Sequence, residues 1–444
     1  MDFFINLNHI WRIVLILHER TKPYNGMFTR KKIIYLASMA SLMMSMPAEA
    51  QQSAIYADNI KTLQLKVNGL WGEPPVMNLG GNNRIEISFD DMQHSYVRYV
   101  YKLVHCNADW TESDIFDSDY VNGFNEGIID NYEQSVNTQM LYNHYTLEIP
   151  NDEMQPKISG NYKLYVYVDG EEEPVLQACF SLLEPHVGVS ASISANTDID
   201  TYSSHQQVSM IINYANYLVS SPQTEFKPVV YQNRRPDNFV CGIMPSYISG
   251  RELKYEHNRQ LIFDAGNEYR RFEILDPYVP TMHVYEMEFF DPYYHATLYE
   301  DAQRRNYIYD EDQDGRFLIR NDDNINNDTE SDYFYTHFKL KMPRIGGGDV
   351  YLNGDLTYNQ FVPQYKMKYN EIDKAYEIVV PLKQGSYNYQ YMFVSDDGSK
   401  TSLSPTEGNF HQTENEYTIY VYHRPVGGRY DKLVGFKQII FKQN

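Results

Sequence analysis

The chain has 444 residues, with 59 Asp or Glu against 38 Lys or Arg, for a formal charge of −21. So acidic a surface repels nucleic acid and anionic lipid, because phosphate binding needs clustered Lys and Arg, and nucleic acid is excluded as a partner. Tyrosine is the other anomaly, at 41 residues. It suits half-buried strand faces, and its sharper reading is an aromatic surface for a protein or glycan partner.

The N-terminal stretch carries an export pattern. Arg30-Lys31-Lys32 is a positive n-region, Ile33 to Met46 a short apolar h-region, and Pro47-Ala-Glu-Ala50 ends in the small-x-small pattern that signal peptidase cuts. The h-region is shorter than the ~20 residues a membrane span needs, which argues against direct membrane insertion. No Cys follows it, which argues against a lipid anchor. Met27 is read as the start, residues 1–26 as translated upstream sequence, 27–50 as signal peptide and Gln51 as the first mature residue. Without the first fifty residues, 32 basic and 56 acidic side chains remain, a charge of −24 that keeps a free protein soluble and monomeric.

Strand signals then recur. Leu63, Leu65 and Val67 alternate, as do Ile85, Ile87 and Phe89. Tyr99 to Val104 alternates again and breaks at Asn107-Ala-Asp109, with Trp110 placed to close a sandwich core over the strand ends. From Asp109 to Asn143 the composition predicts a long ordered loop anchored by Phe116, Tyr120 and Phe124. Tyr145–Ile149, Tyr162–Val168 and Val175–Leu183 are further strands, and Glu184-Pro185 marks a boundary. A second rhythm covers Val187–Ile193, Val208–Ile212, Val229–Gln232, Leu261–Phe263 and His283–Phe290. Pro343-Arg-Ile-Gly-Gly-Gly348 reads as a linker. Strands at Val350–Leu352, Tyr376–Val380, Tyr387–Val394 and Tyr417–His423 follow it. The fold class is therefore all-β, with tandem immunoglobulin-like sandwiches at 51–184, 185–343 and 349–444.

Motifs that carry chemistry are sparse. His105-Cys106 with Asp109 invites a nucleophile reading, but neighbouring strand residues point to opposite faces and cannot pair. Asp310-Glu-Asp312-Gln-Asp314-Gly315 matches the opening of a calcium loop. Its twelfth position is Asn321 where a bidentate Glu is needed, and the flanks read as strands, so an acidic hairpin loop is favoured over a metal site at Asp310, Asp312 and Asp314. Cys106 and Cys179 share a domain and could bridge in an oxidising compartment; their apolar strand context favours buried thiols. No hydrolase, zinc-protease, phosphate-loop or redox motif occurs.

Several stretches together resemble a known family. They are Leu103-Val-His-Cys-Asn-Ala-Asp-Trp110, Ser159-Gly-Asn-Tyr-Lys-Leu164, Tyr231-Gln-Asn-Arg-Arg235, Glu268-Tyr-Arg-Arg-Phe272, Leu382-Lys-Gln-Gly-Ser-Tyr-Asn-Tyr-Gln-Tyr391, Glu407-Gly-Asn409, Tyr417 to Tyr422 and Arg429-Tyr-Asp-Lys-Leu433. The pattern is similar to the type IX secretion system plug proteins of Bacteroidota, formerly a domain of unknown function. The resemblance implies a non-enzymatic periplasmic β protein, without cofactor or catalytic residues. Such a protein would lie peripheral to the inner face of the outer membrane and occlude the periplasmic side of the translocon β-barrel. Tyr293-Tyr294 beside Pro292 is a candidate contact for that partner, since aromatic anchors dominate many interfaces. Residues 349–394 also look like early-set modules that bind glycogen, which gives a periplasmic glycan-binding protein as the alternative. Such modules read sugar with Trp, which this region lacks, so Tyr358, Tyr387 or Tyr389 would have to form the platform.

Overall fold

Residues 85–91 show how the sequence builds the first lobe. Ile85, Ile87 and Phe89 are buried on one face of the strand Ile85–Asp91, which lies between Ile60–Val67 and Asn143–Ile149 in an antiparallel sheet. The facing sheet runs Ala54–Ile55, Pro174–Leu183, Gly160–Val168, Tyr99–Cys106 and Gly127–Ile129. Side chains from both sheets, among them Phe89, Tyr99, Leu103, Leu164 and Phe180, form one core. The computed structural model describes residues 52–442, so the predicted upstream stretch, signal peptide and Gln51 start lie outside the described residues.

Leu63 and Val67 are buried in this core and Leu65 packs against it partly buried, downstream of a β-bulge between Lys61 and Gln64 with Thr62 at φ 52°. One expectation in this lobe is corrected. Of the three expected anchors of the 109–143 stretch only Tyr120 is buried, its hydroxyl donating to the Leu103 carbonyl at 2.9 Å. Phe116 and Phe124 are 74% and 86% exposed, and short strands at Val121–Gly123, Gly127–Ile129 and Tyr132–Gln134 order the segment instead. Trp110 is buried in a cluster with Cys106 and Cys179. The Cys179 thiol donates to the Gln52 carbonyl at 3.2 Å.

The second and third lobes are interleaved, and the linear partition at 343–349 does not follow the strand pairing. Strand Glu416–His423 lies between Phe226–Gln232 and Lys432–Ile440, so the C-terminal segment returns to complete the second lobe. The reason is burial on two sides: every residue of Glu416–His423 is buried. Tyr417, Ile419 and Val421 face the second core, while Tyr420 and Tyr422 pack with Tyr231, Leu433 and Ala108 of the first lobe. The strand His283–Phe290 read from the sequence is observed as Val284–Phe290 and belongs to the third lobe. There, Val284–Phe290, Tyr293–Leu298, Tyr333–Lys341, Ala375–Lys383 and Lys368–Asn370 form one sheet. Gly385–Ser395 is the hub of the facing sheet, pairing with Arg270–Ile274, Phe317–Ile319 and Gly348–Asn353. Residues 343–348 thus join two strands of one lobe.

The lobes are joined through buried polar groups. Lys383 of the third lobe donates to Asp90 of the first at 2.7 Å, and both are almost fully buried. Tyr333 donates to the same carboxylate at 2.6 Å, and His144 Nδ1 lies 2.6 Å from its other oxygen. Burial alone would raise the pKa of Asp90, but Lys383 and His144 outweigh it and hold it below the ordinary carboxylate value. Between the first and second lobes, the Ala108 amide donates to Asp431 at 3.0 Å and the Tyr422 hydroxyl to Asn161 at 2.8 Å. Gly160 sits under this contact. A Cβ there would stand 2.4 Å from His105 Nε2 and 2.9 Å from the Asp431 carbonyl oxygen, which only glycine avoids.

Removing one partner of a buried pair leaves an uncompensated charge. Lys383→Met is expected to lower unfolding stability by about 3–5 kcal/mol, measured by equilibrium urea denaturation. Arg84→Gln, which breaks the exposed Arg84–Glu148 pair, should cost less than about 1 kcal/mol. Equal losses would refute the assigned role of Asp90–Lys383.

Candidate docking surface

The acidic loop puts its carboxylates to three different uses. Asp310 pairs with Arg271. Asp312 accepts from the Tyr269 amide and, at 2.8 Å, from the Asp314 amide. Asp314 faces Arg316 at 3.7 Å. Asn321, at the twelfth position, donates its side-chain amide to the Ile325 carbonyl at 3.1 Å in the next loop. Among the described residues, no group of three His, Cys, Asp or Glu side chains is arranged to hold a metal ion. Burial pushes Asp312 up to about 7 and Asp314 up to about 8, and Glu268 nearby up to about 7.

The His105 ring contacts Ser113 Oγ at 2.8 Å and the Ser159 carbonyl oxygen at 3.1 Å. Cys106 points away into the Trp110 cluster, as strand alternation requires. Burial pushes His105 down to about 4, so it is a neutral structural ring at physiological pH. The proposed sugar platform fails on burial. Tyr387 and Tyr389 fill the third core, and Tyr358 turns its hydroxyl inward to accept from the Leu63 amide at 2.9 Å.

An exposed aromatic surface lies on the outer side of the third lobe. Val284–Phe290 is an edge strand, paired only with Tyr293–Leu298. Met287 is partly buried, while Tyr285, Phe289 and Phe290 are exposed, with Tyr293 at the turn; Phe290 and Tyr293 share one face, and Phe289 lies on the other beside Tyr294. Tyr293 and Tyr294 separate as successive strand residues must: Tyr294 stacks on Phe334 at 5.3 Å, while Tyr293 meets Tyr335 edge-on at 5.1 Å. Phe290 contacts His295 at 5.1 Å, and His295 stacks on Tyr335 at 5.4 Å. Below them the His295 and His337 rings share a hydrogen bond, Nδ1 to Nε2, at 2.9 Å. The face continues into a depression of about 550 Å³ lined by Tyr285, Tyr299, His337, Lys339 and Glu377. Glu286 and Glu288 stand exposed on the edge strand, and charges there discourage indiscriminate strand pairing.

The architecture has a known counterpart. A family model for the type 9 secretion system plug protein first domain matches residues 60–184. The chain belongs to the type IX secretion system plug protein family. The structure of a hypothetical protein from Parabacteroides merdae ATCC 43184 is 47% identical, with a TM-score of 0.87 over 88% of this chain and 100% of that one. A biofilm-associated protein BSP domain follows at 9% identity and a TM-score of 0.18, covering 88% of this chain and 61% of that one. The C-terminal domain of the Streptococcus pyogenes antigen I/II-family protein AspA follows at 8% and 0.14, covering 88% and 99%. No curated protein matches the chain. The plug-family match covers the first lobe, and the Parabacteroides structure shares the whole three-lobe arrangement.

Two measurements follow from the acidic loop. The buried carboxylates have folded-state pKa values raised above the ordinary range. Their contribution is thus full near pH 4 and lost as pH rises through 7–8. The melting temperature should fall by on the order of 5 °C between pH 6 and 9, and by less in Asp314→Asn; an unchanged slope in that variant would refute the assignment. Millimolar Ca²⁺ should move the melting temperature by less than about 1 °C, and a saturable rise lost in Asp312→Ala would overturn this reading of the loop.

Proposed function

We propose that this plug-family protein is a non-enzymatic adaptor of the periplasm. On this reading it is exported by the Arg30–Ala50 signal, lies peripheral to the outer membrane and occludes the periplasmic side of the translocon β-barrel. The observation that supports the reading is an exposed aromatic face carried on a compact unit whose lobes are joined by buried ion pairs. Occluding a pore requires a broad, shape-persistent surface, and buried ion pairs such as Asp90–Lys383 resist hinging between lobes. Phe290, Tyr293 and Tyr285 are rings of the kind that anchor interfaces, held in place by the sheet beneath them. The family resemblance supplies the barrel as the partner.

An affinity-tagged copy, expressed in a strain that makes the translocon, should co-purify with a very large outer-membrane β-barrel. Its N-terminal sequence should begin at Gln51. A Phe290→Ser/Tyr293→Ser double variant should recover at least about tenfold less of that partner while keeping its melting temperature. Deleting the gene should make the outer membrane more permeable to large antibiotics. Recovery of no membrane partner, with permeability unchanged on deletion, would refute the reading.

A further inference from the structure

One sheet of the third lobe ends at Val284–Phe290, and past the irregularity at Tyr285 residues 286–290 keep regular register with 293–297. The outer edge of this strand is bare. Among the described residues, no hydrogen bond reaches the backbone of 285–290 apart from those to the neighbouring strand. A row of free N–H and C=O groups is a template for one more strand.

The side chains say which strand would fit. Successive residues point to opposite faces, so Glu286, Glu288 and Phe290 share one face and Met287 and Phe289 the other. Glu286 and Glu288 are exposed, as is Asp291 at the turn. Among the described residues, none of these three carboxylates has an ion-pair or hydrogen-bond partner. The cations nearby are already taken. Lys339, two strands in, lies 2.6 Å from Asp373, 3.3 Å from Glu377 and 3.7 Å from Glu300, and Lys341 lies 4.0 Å from Glu300. His295, opposite Glu288, is hydrogen-bonded to His337. From Phe272 to Gln303 the chain holds seven Asp or Glu and no Lys or Arg, so nothing on the edge itself offsets the charge.

An added strand would set one of its side chains directly opposite each of these residues. Across from Glu286 and Glu288 an acidic residue is repelled and Lys or Arg is attracted, with the Phe290 ring at the end of the row to receive a guanidinium. Across from Met287 and Phe289 the fitting residues are apolar. We propose that this edge accepts an extended segment of a partner protein as an added strand, in which Lys or Arg alternates with apolar residues. The strand belongs to the docking face of the plug reading, so the proposal rests on that reading and adds the chemistry of the partner.

The test is fluorescence anisotropy of the mature chain with labelled peptides. Thr-Lys-Val-Arg-Val-Thr should bind saturably. Thr-Glu-Val-Glu-Val-Thr should bind about tenfold more weakly or worse, as should Lys-Arg-Val-Val-Thr-Thr, which has the first peptide's composition in another order. A Glu286→Lys/Glu288→Lys double variant, with its melting temperature kept, should reverse the preference and bind the acidic peptide more tightly. Methylating the amide nitrogens of alternate residues blocks one edge of a peptide strand. Of the two complementary methylated forms of the basic peptide, one should bind and the other should not. Binding of both forms, equal affinity for the two orders of the basic peptide, or an unaltered preference in the double variant would each overturn the proposal. In cells, the tagged double variant should recover about tenfold less of the outer-membrane barrel than the unaltered chain. Equal recovery would overturn the added strand and leave the plug reading standing. Recovery of no barrel by the unaltered chain would count against the plug reading, and the peptide series would then decide the added strand by itself.

Discussion

Glu416 is where the three lobes are held together. It is buried at the start of the strand that completes the second lobe, accepts from Arg234 Nε at 3.0 Å and from Arg316 of the third lobe, and receives Gln438 at 2.6 Å. Arg234 reaches on to the Gly72 carbonyl and, at 3.1 Å, to that of Glu73, both in the first lobe. Burial alone would raise the Glu416 pKa, but the two guanidinium groups outweigh it and keep the carboxylate charged. A charge in that position is tolerated only while every partner stays in place, so each lobe constrains the other two. Buried ionic clusters contribute little net stability compared with apolar packing; what they specify is one arrangement among several that apolar faces alone would allow.

The motifs that carry the family resemblance are mostly parts of these junctions. Asn107 and Ala108 meet Arg424 and Asp431 across the first and second lobes. Asn161 receives the Tyr422 hydroxyl. Arg270 bridges Asp301 at 2.7 Å and Glu407 at 2.9 Å inside the third lobe, where Tyr389 and Tyr391 also donate to Asp301. Lys383 reaches Asp90. Such residues have no counterpart in a free-standing sandwich, which explains why the stretches looked distinctive while offering no catalytic pattern.

Strand identity was legible because period-two alternation is a local property: Ile85, Ile87 and Phe89 could only form one buried face. Topology was not legible. Tyr417–His423 reads as one more strand after Gly385–Ser395, and nothing within it says that it pairs with residues 226–232 nearly two hundred positions earlier. The unbroken apolar and aromatic run from Ile419 to Tyr422 was the available hint, since a strand buried on both faces needs a second layer to cover it. The Gly-rich 343–348 stretch misled because a turn inside a lobe and a linker between lobes share the same composition. Phe116 and Phe124 misled because apolar character does not force burial when the neighbouring backbone is already ordered by short strands. At the exposed aromatic face Tyr293 was visible from its turn, but the His295–His337 contact depends on parallel pairing between Tyr293–Leu298 and Tyr333–Lys341, a register no local pattern encodes.

The distribution of tyrosine links these levels. Tyr99, Tyr145, Tyr333, Tyr389, Tyr391 and Tyr417 are buried with their hydroxyls donated to Asp91, Asp90, Asp301, Gln206 or a backbone carbonyl, so each ring fills core volume while its tip satisfies a buried acceptor. Phenylalanine at these positions would leave carboxylates such as Asp301 short of donors, and a charged donor would add desolvation cost. The same residue type at the edge of the third lobe has no such acceptor and stands exposed, as Tyr285 and Tyr293 do. Tyrosine thus serves two ends here. Inside, the Tyr333–Asp90 bond joins the first and third lobes while Tyr99, Tyr389 and Tyr391 satisfy carboxylates within their own lobes; outside, rings already held by the sheet beneath them would need little further ordering on contact with a partner, which lowers the entropic cost of docking.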